Sequence, residues 1–84
     1  MPNFPPCVAL VAQLYPDLAS EVTRLAESSE AFVSMCEDYK LAREMLSKLL
    51  IQDRPQDEER RSEYRKLIAD LERELSETLV GFHK

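Results

Sequence analysis

The sequence predicts an all-α fold: an antiparallel hairpin of two long helices with a short N-terminal helical segment laid against it. Three observations carry this expectation. Phe32, Met35, Tyr39, Ala42, Leu46 and Leu49 recur at steps of three and four, the period of a helix packed along its length and one that no strand produces. A single glycine in 84 residues withholds the tight turns on which sheets and phosphate-cradling loops depend. Five prolines stand where helices would begin, since proline is tolerated in a first turn but not in a helix interior.

Residues 1–84 read as one domain, because a chain this short has room for one core. The N-terminal segment covers residues 1–27. After Pro2, Pro5 and Pro6, the stretch Cys7 to Leu14 is apolar enough for a short helix. Tyr15, Pro16 and Asp17 then break the chain before a second short helix whose apolar face is Leu18, Val22 and Leu25. The second element, residues 28–53, opens at Ser28 or Ser29, whose hydroxyl can accept from the free amides of the first turn, with Glu30 placed to suit the helix dipole. At 1.5 Å per residue it is a rod of roughly 35 Å, and Lys40, Glu44 and Lys48 step by four along its wet side. Asp53, Arg54, Pro55 and Gln56 form the connection, where Asp53 is expected to cap the next helix. The third element, residues 54–81, carries Tyr64, Ile68, Leu71, Leu75 and Leu79 on one side, with Gly81 as the expected C-cap. Gln56 to Glu63 contain no large apolar residue, so that end is expected to be solvated. A short connection between two long helices makes them antiparallel neighbours.

Composition narrows the function classes. Eleven basic against 16 acidic residues give a net charge of −5, and both nucleic acid and anionic lipid demand concentrated positive charge. Residues 54–66 hold the main basic concentration, but Asp57, Glu58, Glu59 and Glu63 are interleaved among Arg54, Arg60, Arg61, Arg65 and Lys66. Nucleic acid is therefore not expected as a partner, and neither is a membrane, since no apolar stretch nears the 18 to 20 residues of a span. Met1 to Leu14 lacks a basic start and a sustained apolar run, so no secretory signal is expected and Cys7 and Cys36 are read as reduced thiols in a cytoplasm. Cys36, Glu37, Asp38 and Tyr39 are chemically varied, but successive helical residues diverge by about 100° and cannot converge on one ion. His83 is the sole histidine, which excludes sites needing two imidazoles. It reads with Lys84 as a free end. Asp57 with Arg61, Lys66 with Asp70, and Arg73 with Glu77 read as pairs on a solvated face. No catalytic residue, metal or cofactor is expected, and the chain is not read as an enzyme.

At Phe32, Cys36, Glu37, Asp38, Tyr39, Ala42 and Leu46, and then at Arg61, Glu63, Tyr64, Leu67, Leu71 and Glu72, the chain resembles a loose group of small bacterial α-helical proteins of unknown function. They share Phe, three residues, Cys-Glu-Asp-Tyr, then Glu-Tyr and a Leu- and Glu-rich helix. The likeness spans about Phe32 to Thr78; it implies a bacterial α-hairpin and carries no activity to transfer.

The expected function is that of a non-enzymatic protein-protein interaction module. A small rod whose apolar stripes exceed what one neighbour covers gains by self-association, so a homodimer is expected, two hairpins merging into a four-helix bundle. Phe4, Val8, Val11, Leu50 and Leu67 are the candidate partner-binding residues. The alternative is a small acidic regulator, antitoxin-like or secretion-chaperone-like. Residues 1–16 are read as a lid over the hairpin or as a docking segment.

Overall fold

The computed structural model describes residues 4–83, with side chains from Phe4 to Gly81. Within them lie α1 (Pro6–Leu14), α2 (Ala19–Ser28), α3 (Glu30–Gln52) and α4 (Glu58–His83), and 3₁₀ turns at Pro16–Leu18 and Pro55–Asp57. The described residues contain no strand. Expectations for Pro2, for the His83 imidazole and for Lys84 fall outside the described residues.

Local chemistry sets each boundary. Pro16 has no amide to continue α1, so the chain turns at Tyr15, whose N–H still donates to the Val11 carbonyl at 3.1 Å. Between α2 and α3 there is one residue. The Ser29 N–H donates to the Leu25 carbonyl at 2.8 Å, closing α2, while its hydroxyl accepts from the Phe32 N–H at 3.2 Å, opening α3.

α3 and α4 form the most extensive helix pair, with α1 packed on α3 and α2 on both. The main core gathers Cys7, Val8 and Val11 of α1, Val22 and Leu25 of α2, Phe32, Cys36, Tyr39 and Ala42 of α3, and Leu71, Leu75 and Leu79 of α4. No member falls between Ala42 and Leu71. The molecule thus has a four-helix base and a two-helix tip, and measures 44 × 25 × 21 Å.

The tip departs from expectation in three ways. Asp53 does not cap α4; it ends α3 in the left-handed conformation (φ 48°, ψ 46°), which short polar side chains tolerate better than most. Gln56 to Glu63 are not uniformly solvated either. Asp57 is 4% exposed and Arg61 7%, because the turn folds both inward onto Arg54, to whose guanidinium and carbonyl they bond. The pairing also differs from the expected Asp57–Arg61. Arg54 Nε donates to Asp57 Oδ2 at 2.8 Å, and Arg61 donates through Nη1 to the Arg54 carbonyl at 3.0 Å and through Nη2 to Glu58 Oε2 at 2.7 Å. That guanidinium holds the Glu58 carboxyl below its usual range.

On the exposed face, Lys40–Glu44 forms at 3.1 Å, whereas Asp70 pairs with Arg73 at 3.5 Å rather than with Lys66. Gly81 does not end α4: the helix runs through it to His83 without a positive φ. Among the described residues no turn follows it that would require the left-handed region.

Candidate protein-interaction surface

The tip's exposed apolar residues flank the seam of α3 and α4 on two different sides. On one side, Leu41, Ala42 and Met45 of α3 and Tyr64, Leu67 and Leu71 of α4 line a groove with Asp38 at its edge. Buried Ala42 and Leu71 form the floor. A one-carbon side chain at position 42 leaves the depression open, and Leu41, 59% exposed, and Leu67, also exposed, stand as its ridges. At about 390 Å³ the groove lies at the small end of ligand sites, and it suits a few inserted side chains of another helix.

The other side is mixed in character. Leu46, Leu50 and Ile68 share it with Tyr39, Arg43, Ser47 and Glu72. Tyr39 Oη donates to Glu72 Oε2 at 2.7 Å and accepts from Arg43 Nη1 at 3.2 Å, while the Arg43 guanidinium lies 5.6 Å from the Tyr39 ring centroid. Tyr15 Oη donates to the Glu72 backbone carbonyl at 3.0 Å. Burial, then the neighbouring Glu72 carboxylate, raises both phenols above the ordinary tyrosine value. At neutral pH they are hydrogen-bond donors, and the cluster is a strut tying the α1–α2 junction and α3 to α4.

Nucleophile chemistry finds little purchase. Cys7 and Cys36 are free and buried. Burial pushes the Cys36 thiol up to about 12, with Cys7 a further contributor, and burial with Glu37 nearby raises Cys7. Both thiols therefore stay protonated and unreactive at neutral pH. Among the described residues no three His, Cys, Asp or Glu side chains gather so as to hold a metal ion. No helix among them is long and apolar enough to cross a membrane.

The five residues picked from sequence do not form one surface. Val8 and Val11 lie in the core, where α1 covers α3, and this removes them from any docking face. Phe4 is half-buried against that core. Leu67 belongs to the apolar groove, whereas Leu50 lies on the mixed side. Leu41, Met45 and Ile51, the last 79% exposed, were missed. The signal was present, since Leu41 sits between Lys40 and charged neighbours one turn away, on a face whose polarity it interrupts. Comparison with known proteins finds no matching family model, no matching curated protein and no matching solved structure.

Proposed function

We propose that this chain is a non-enzymatic helical interaction module: an antiparallel hairpin of α3 and α4, clamped at its base by α1 and α2, that buries the apolar sides of its tip in a protein partner. One observation carries the reading. The fully buried residues of the main core end at Ala42 and Leu71, and past them Leu49 is buried apart while Tyr64 and Ile68 are only partly covered; Leu41, Leu50, Ile51 and Leu67 beyond or beside that limit are exposed. Size supports it. The Cα radius of gyration is 14.1 Å, against about 12 Å for a compact domain of this length. The accessible surface is 5808 Å², against about 5,100 Å² for a compact monomer of 9.7 kDa. The excess, roughly 700 Å², approaches the share that each partner buries in a standard interface, about 800 Å².

Self-association into a dimeric four-helix bundle is one assembly that this tip supports. A regulator gripping a basic partner through the net charge of −5 is the weaker reading, because the exposed tip is apolar and carries most of the chain's basic residues.

The test is photo-crosslinking from a benzophenone amino acid placed at Leu41 or Leu67, with exposed Arg24 on α2 as control. Protein adducts are expected from both tip positions and not from position 24. Tip positions that yield no more adduct than the control would overturn the reading.

A further inference from the structure

We infer that the occupant of the Leu41–Leu67 groove is a second copy of this chain, packed about a two-fold axis so that the tip of each copy lies against the base of the other. This rests on the interaction-module reading and adds the partner, the face and the direction.

Charge along the groove argues for that arrangement. Residues 54–66 hold five basic and four acidic side chains, net +1; since the whole chain is −5, the remainder is −6. The polarity continues along the groove's rims. Asp38 borders its base end, with Glu74 one turn beyond Leu71; Lys48 lies one turn beyond Met45 and Arg60 one turn before Tyr64, where Glu63 offsets a single charge. Two copies stacked in the same direction would set acids on acids. A perpendicular two-fold instead brings Lys48 and Arg60 of each copy toward Asp38 and Glu74 of the other, in two equivalent sets.

Shape agrees. Leu41 and Leu67 are ridges on either side of the low Ala42–Leu71 floor, so a ridge of one copy can enter the facing groove. An isologous contact of this kind closes on itself and gives a dimer instead of a fibre.

The experiment is sedimentation velocity on the full chain from about 1 to 100 μM, at about 0.05 and 0.5 M salt. The wild type should sediment at twice its chain mass of 9.7 kDa, and more weakly at high salt. Leu67→Glu should give a monomer with unchanged helical circular dichroism, and Leu50→Glu on the opposite side should remain dimeric. Lys48→Glu should weaken the dimer about fivefold at low salt, two symmetric pairs being lost, and adding Asp38→Lys should restore it. A wild type that stays monomeric throughout overturns the inference; adducts from positions 41 and 67 to some other protein would then leave the module reading standing. A dimer split by Leu50→Glu but not by Leu67→Glu also overturns it, as does a Lys48→Glu variant that Asp38→Lys fails to rescue.

Discussion

Replacing Arg61 by alanine separates a clasped tip from a frayed one. Its guanidinium donates to the Arg54 carbonyl and to Glu58, and its stem is buried, the residue being 7% exposed. Glu58 is exposed, so losing that partner contributes little. The Arg54 carbonyl still receives the Asp57 N–H at 3.0 Å, so losing its second donor costs about 1 kcal/mol. The two buried methylenes lost beyond Cβ, at about 0.8 kcal/mol each, add about 1.6. Arg61→Ala should therefore cost about 2.6 kcal/mol, a fall in Tm of more than about 10 °C for a domain of this size. Arg61→Met keeps most of the stem and should lose about 1 kcal/mol. Arg65→Ala, whose side chain is exposed and 3.9 Å from Glu58, should stay within about 0.5 kcal/mol of wild type. The assay is urea unfolding followed by circular dichroism at one fixed protein concentration, so that the proposed self-association weighs equally on every variant. Equal, small losses for Arg61→Ala and Arg65→Ala would refute the clasp and return residues 56–63 to solvent.

Three further outcomes are expected from the packing. Gly81→Ala should raise the free energy of urea unfolding by about 0.5 kcal/mol, since glycine weakens a helix and nothing lies within 4 Å of an added Cβ; a loss would mean that the helix ends there after all. Tyr39→Phe removes the hydroxyl joined to Glu72 and Arg43 and should cost about 1.5 kcal/mol, with the loss much reduced in a Glu72→Ala background, where the acceptor is gone. The Cys36 thiol rises from 9.0 unfolded to about 12 folded, so its stabilising contribution is complete below pH 9.0 and is lost as pH rises toward 12. Stability measured across that window should fall less steeply in Cys36→Ala, and a thiol reagent that labels the native protein at neutral pH as fast as the unfolded chain would contradict the burial.

Periodicity and proline placement made the helices legible, because both act over a few neighbouring residues. The Ser29 cap and the break at Pro16 could be read for the same reason. The tip could not. Whether Asp53 caps forward or ends α3 in the left-handed region depends on how the turn folds back, and only then do Asp57 and Arg61 become buried. Val8 and Val11 show the same limit on the candidate surface: an apolar segment looks identical in sequence whether it covers its own core or docks elsewhere. Leu41 failed differently, because the seam pattern drew attention to the residues facing the partner helix and away from an apolar residue on a charged face.

Helix lengths explain why an uncovered half is built into this fold. The nine residues of α1 and the ten of α2 reach about 14 and 15 Å, whereas the 23 residues of α3 reach about 35 Å. Both short helices are tied to the same end: Ser29 joins α2 directly to the start of α3, and Tyr15 fastens the α1–α2 junction to Glu72. Neither can slide toward the tip. A chain selected to work alone in water would make the uncovered half polar apart from one seam, as it does at Glu59, Arg60 and Glu63. Leu41, Leu50, Ile51 and Leu67 break that rule on both sides of the seam, and on the proposed reading this apolar surface, left exposed by α1 and α2, is what a second molecule covers.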